Sequence, residues 1–207
     1  MTRIFRNTLL LVFTGTLVSF LAPCAVAQQF KATINKPSFD DLESPTFSGS
    51  KAKPFRPKTW LEVEAKIRIL SADKKITTAD RVVVRWFVAV KDQGANRFSL
   101  LTRDVEHVNV PIDEDLFYVI YLSPSSIRRI TGSDRAGKNN VFDVGYEILV
   151  NGTKLAESSF KNKPGWWNTT SDKISRSDVV PLLTKPETPF SNMWWDRYAE
   201  VFQPRPR

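Results

Sequence analysis

Two stretches of this chain place an apolar residue at every second position. In WLEVEAKIRIL, residues 60–70, Leu61, Val63, Ala65, Ile67 and Ile69 alternate with Glu62, Glu64, Lys66 and Arg68. In RVVVRWFVAVK, residues 81–91, Val82, Val84, Trp86, Val88 and Val90 fall on one side. Arg81, Val83, Arg85, Phe87, Ala89 and Lys91 take the other. A pleated strand sends successive side chains to opposite faces, so this period of two predicts strands with one face in a core.

The rest of the middle of the chain follows suit. Residues 98–110 alternate less cleanly, and LFYVIYL, residues 116–122, is apolar throughout, which predicts a central strand. In VFDVGYEILV, Phe142, Val144, Tyr146, Ile148 and Val150 share a face. Asn151-Gly152 then reads as a two-residue hairpin turn, because both residues tolerate positive φ. That turn sets Val150 opposite Thr153 and Ile148 opposite Leu155. Asn151 also opens an Asn-x-Thr sequon, as does Asn168. The tripeptide is common by chance, and the turn is the reading adopted.

Helix signals are few. In SPSSIRRITG, Ser123 suits a cap, Pro124 the first helical position and Gly132 the stop, predicting one or two turns. Beyond Phe160 the chain is irregular, with a short edge strand expected near Val179–Leu183. Thr188-Pro189 suits a helix start. Trp194, Tyr198 and Val201, flanked by Trp195 and Phe202, then recur at helical spacing opposite Asp196, Arg197 and Glu200. The expected fold is all-β: an immunoglobulin-like β-sandwich with a short internal helix and a C-terminal helix packed on it. Trp86 in an early strand matches the core tryptophan of such sandwiches, without their disulfide.

The ends say where the protein goes. Arg3 and Arg6 precede an apolar run from Leu9 to Ala22 and an Ala25-Val26-Ala27 cleavage pattern, the anatomy of a secretory signal peptide. The run is shorter than the roughly 20 residues of a spanning helix. Pro23 before Cys24 fits lipoprotein processing poorly, so cleavage after Ala27 is expected. The remaining 180 residues hold no cysteine. An exported chain without disulfides depends on its core, and this points to a bacterial periplasm or cell surface. The organisation expected is a signal peptide at 1–27, an extended Pro-rich leader at 28–58, a sandwich at 59–184, and the C-terminal helix and tail at 185–207. The leader reads as a tether, or as a strand donated to a neighbouring sheet.

The chemistry available is thin. Net charge is +8, or +6 without Arg3 and Arg6, a modest excess that favours anionic neighbours. There is one histidine, His107, and no Gly-x-Ser-x-Gly elbow, paired-His motif, P-loop or Gly-x-Gly-x-x-Gly. No catalytic residue, metal ligand or cofactor is expected, and no nucleic acid, for want of a dense basic stripe. Asp104 and Glu106 near His107, and the Asp113-Glu114-Asp115 run, are read as solvent-facing acids; a carboxylate-based glycan hydrolase would need two of them across one cleft. The candidate binding residues are Trp166 and Trp167, which could stack on sugar rings, and Arg128, Arg129 and Arg135, a basic loop.

Three segments carry a family resemblance: DLESPTFSG, the Lys-x-Lys-Pro-Phe-x-Pro-Lys approach to WLEVEAK, and ETPFSNMWWDRYAEV. They resemble a family of exported verrucomicrobial and planctomycete proteins described as pilus-like, with an immunoglobulin-like fold and type IV pilus gene neighbourhoods. The resemblance implies a non-enzymatic accessory or adhesion-type component of a surface assembly, with a protein partner. It brings no catalytic residues. Polymerising type IV pilins carry a long apolar N-terminal helix, and nothing after Ala27 supplies one. The alternatives from the residues themselves are a carbohydrate-binding module and the hydrolase.

Overall fold

The computed structural model describes residues 29–46, 56–94, 96–133, 137–169 and 171–204. The expected signal peptide and Arg135 lie outside the described residues.

The two alternating stretches are long strands, β3 (Thr59–Ser71) and β4 (Thr78–Lys91). On β3, Leu61, Val63, Ala65, Ile67 and Ile69 are buried and the charged residues between them are half-exposed. On β4, Val82, Val84, Trp86, Val88 and Val90 enter the same core. The two strands belong to different sheets. In the first, β3 pairs with β6 (Asp115–Leu122) on one side; on the other it pairs with β1 (Phe30–Ile34) and β2 (Ser38–Glu43), placed end to end. The second has the order β8-β7-β4-β5-β9, with β5 at Phe98–Pro111, β7 at Val141–Val150, β8 at Thr153–Ser159 and β9 at Ile174–Arg176. All pairings are antiparallel except β5 with β9. The sheets pack face to face over one apolar core, an all-β sandwich.

The internal helix forms as expected. α1 (Pro124–Thr131) is capped by the Ser123 side chain, which accepts from the Ser126 N–H, and stopped by Gly132 at φ 74°. Ile127 and Ile130 are its core contacts. The hairpin turn also forms, with Asn151 at φ 50° and Gly152 at φ 81°. Val150 pairs with Thr153, but a bulge between Ile148 and Leu149 sets Ile148 opposite Ala156 rather than Leu155.

Four expectations need correction. The leader forms sheet strands at Phe30–Ile34 and Ser38–Glu43: Phe30 is in the core, and the Tyr146 hydroxyl donates to Asn35 O at 2.6 Å. The loop after α1 is tied to it through Lys138, whose N–H donates to Asp41 Oδ1 and whose ammonium meets Asp40. Pro37 marks only the break between β1 and β2.

The apolar run 116–122 is an edge strand, not a central one. Its uniform apolarity has another cause. Tyr118, Ile120 and Leu122 face the core, while Val119 and Tyr121 face outwards beneath the C-terminal segment.

That segment, finally, is not a helix. It makes 3-10 turns at Lys185–Glu187 and Trp195–Arg197, joined by bends and turns over residues 188–194, with bridging residues on either side. Leu183 exchanges backbone hydrogen bonds with Tyr121 at 2.7 and 2.8 Å. The Ala199 N–H donates to Phe117 O, and the Phe202 N–H to Glu106 O. The tail thus covers the free edges of β6 and β5, which offer backbone partners that a helix could not use. Phe190, fully buried, stacks on Tyr121 at 5.2 Å and meets Trp60 edge-on at 5.7 Å. The edge strand expected at 179–183 reduces to the Leu183 bridge, with β9 formed upstream of it.

Candidate functional site

The segment after β8 folds back over the outer face of the second sheet. Its anchor is Asp143, a fully buried carboxylate on β7. It accepts from the backbone N–H groups of Val144, Lys161 and Asn162, from Asn162 Nδ2 and from the Ser159 hydroxyl, all within 3.1 Å. Five donors leave the carboxylate satisfied despite its burial. A turn through Gly165, at φ 86°, then leads into a 3-10 turn over Trp166–Asn168.

The two tryptophans of this turn have different fates. Trp167 is 3% exposed and lies flat on Phe87. Its indole N–H donates to Glu147 Oε1 at 3.4 Å. It therefore seals the sheet, and the expectation that both rings could meet a ligand fails for this one. Trp166 is half-buried. Its N–H donates to Ser159 Oγ at 2.9 Å, and its ring stands edge-on to Phe142. It lines an open cleft of about 490 Å³ with Phe142, Pro164, Ile174, Asn162 and Lys163. Thr169 and Ser171 complete the rim. The cleft offers apolar surface, amide and hydroxyl hydrogen bonds and one ammonium.

Beside it the sheet face is a charge ladder. Lys154 joins Glu157 and Glu147, Glu147 meets Arg85, and Arg85 holds Asp104 through two hydrogen bonds at 2.8 and 2.9 Å. Arg81 pairs with Glu106. These alternating signs neutralise one another across the strands.

The remaining candidates are dispersed. Arg128 and Arg129 are exposed on the last turn of α1. Arg128 lines a separate cavity of about 270 Å³ with Pro57, Lys58 and Thr59. His107 points into the core, its Nδ1–H donating to Ala199 O at 3.3 Å, edge-on to Tyr118. Burial pushes it down to about 4. Strand alternation sends its neighbours Asp104 and Glu106 to the opposite face, so no cleft gathers them with it. Asp115 is bound by Arg68 and Lys66, which hold it down to about 2.

The second sheet's outer face was only partly foreseeable. Phe87 and Ala89 are apolar on the face expected to be polar, and that was the signal that something covers it. Asp143, the anchor, had no signal beyond an acid inside an apolar run.

A further cluster lies under the tail. Glu62 accepts from the hydroxyls of Tyr121 and Tyr198, and Glu64 accepts from Tyr198 and Arg197. Burial, reinforced by the nearby Glu64, raises Glu62 above the usual carboxylate range. The Arg197 guanidinium sits 3.5 Å over the Phe117 ring. These groups fasten the tail to the first sheet. Among the described residues, no group of three or more His, Cys, Asp or Glu is placed to hold a metal ion. No described helix is long and apolar enough to cross a membrane.

The model of one protein family matches residues 23–205 of the chain. No curated protein matches it. Among solved structures, the crystal structure of a protein from Akkermansia muciniphila is similar: 32% identity, a TM-score of 0.77, and coverage of 86% of this chain and 95% of that one.

Proposed function

This chain belongs to the same family as the Akkermansia muciniphila protein, and on that footing we propose that it is an exported, non-enzymatic accessory or adhesion-type component of a bacterial surface or pilus-associated assembly. The resemblance of its end motifs to exported pilus-like proteins supports the reading. So does the strand order, which suits an immunoglobulin-like Greek key: β1/β2, β3 and β6 face β8, β7, β4 and β5. Trp86 on β4 packs 5.5 Å from Tyr146 on β7, where antibody domains set their core tryptophan against a disulfide.

The observation that carries the proposal is the Trp166 cleft. Its apolar walls and polar rim sit on a rigid, Asp143-anchored loop beside a self-neutralised charge ladder. Such a surface suits contact rather than bond-breaking, and a protein partner is the occupant proposed. Cross-linking on intact cells should capture an appendage protein, and Trp166→Ala should weaken capture without unfolding the chain. A protein that stays monomeric and uncaptured would sink the proposal.

The second reading, a carbohydrate-binding module, rests on the half-open Trp166 ring beside Asn162 and Thr169. Fluorescence titration with glycans tests it. A saturable change lost in Trp166→Ala favours sugar over protein.

A further inference from the structure

Lys185 is a lysine in an unusual place. Only 6% of it is exposed. Its turn is fixed by a capping box, in which the Thr184 N–H and hydroxyl both donate to Glu187 Oε2, at 2.7 and 2.9 Å. The Thr188 hydroxyl donates to Lys185 O at 2.8 Å. The side chain runs inward, where its ammonium donates to Ser191 O at 3.0 Å and stands 5.4 Å from the centre of the Tyr198 ring. Among the described residues no carboxylate forms an ion pair with it. Burial holds the ammonium below its usual range. A buried cation with no counter-ion is costly, and an ammonium has three donors, of which Ser191 takes one.

Both groups that the ammonium meets belong to the wall of a cavity. Lys185, Ser191 and Tyr198 all line a cavity of about 570 Å³ between the tail and the end of β5. That volume is ordinary for a small-molecule site. Much of the remaining wall is apolar: Val108, Pro186, Val201 and Phe202. Phe202 is 47% exposed. The acid on the wall, Glu200, is exposed and accepts from Asn109 Nδ2 at 3.3 Å. None of these residues lines the Trp166 cleft.

We propose that this cavity binds a small monocarboxylate with an apolar body, its carboxylate taken by the Lys185 ammonium and its hydrocarbon part laid against Val108, Pro186, Val201 and Phe202. One cation and apolar walls match a singly charged amphiphile. A phosphate dianion would find too few donors. The site is independent of the function proposed for the Trp166 cleft.

The test is an NMR titration of the folded chain with hexanoate and benzoate against hexanamide and benzamide. The acids should give saturable shifts at Lys185, Ser191 and Phe202, and the amides should bind at least about tenfold more weakly. Lys185→Met should abolish that difference. If it does not fold, the acid-over-amide contrast in the natural chain decides alone. Equal binding of acid and amide overturns the proposal. So do the absence of saturable shifts, and inorganic phosphate competing as well as benzoate.

Discussion

Trp167 lies parallel to Phe87, with ring centroids 4.4 Å apart and planes 9° from each other. The contact joins the loop after β8 to the middle of β4, 80 residues earlier in the chain. It is possible because Gly145 on β7 leaves the room: a Cβ there would stand 2.2 Å from the Trp167 ring. Gly145 is thus a packing glycine, needed for close approach rather than for backbone freedom.

Gly145→Ala should therefore destabilise the fold by about 1–3 kcal/mol, the usual cost of overpacking. Chemical denaturation measures it. Trp167→Ala should cost about 3–5 kcal/mol through the cavity it leaves. Trp166→Ala should cost distinctly less, and the unequal pair is the signature of one sealing ring and one cleft ring.

Asp143→Ala should release the loop over 160–163, since it strands five donors, two of them side-chain groups. A loss of at least about 2 kcal/mol is expected, because unsatisfied buried groups cost more than the bonds they made. Hydrogen exchange should show the Lys161 and Asn162 amides losing protection first.

Phe190 is the peg of the C-terminal tail. Phe190→Ala should cost about 3–5 kcal/mol. Limited proteolysis should find new cleavage downstream of Thr188 while the sandwich core stays resistant. Equal resistance of the variant and the natural chain would show that the backbone bridges to β5 and β6 hold the tail unaided.

His107 sets a pH window. Its folded value lies near 4, below the unfolded value of about 6.5, so the unfolded chain binds the proton first. Above about pH 6.5 the ring is neutral in both states and its protonation costs nothing, and stability falls as pH drops from there to about 4. The full loss is of order 3 kcal/mol. Glu62, raised in the folded state, contributes with the opposite sign at neighbouring pH. The comparison of natural chain and His107→Phe by denaturant midpoint against pH isolates the histidine, and the variant should lose the slope between about pH 6.5 and 4.

Residue pattern alone determined which faces of β3 and β4 enter the core. Leu61 to Ile69 and Val82 to Val90 are buried where their alternation puts them, because side-chain direction in a strand is a local property of the backbone. Ser123, Pro124 and Gly132 bounded α1, and Asn151-Gly152 turned the chain, for the same reason: caps and turns are satisfied within a few residues.

Only the tertiary structure decided what covers the outer faces. The period at Trp194, Tyr198 and Val201 suits a helix, yet unpaired backbone on β5 and β6 drew that segment into extended bridges. Phe87, Val119 and Tyr121 signalled hidden surfaces but not the partners, Trp167 and Phe190, that hide them. Nor did any spacing place Lys185 at a cavity. Such pairings join residues far apart in the chain, and their choice depends on which loops can close and which edges remain unpaired, quantities that no local pattern carries.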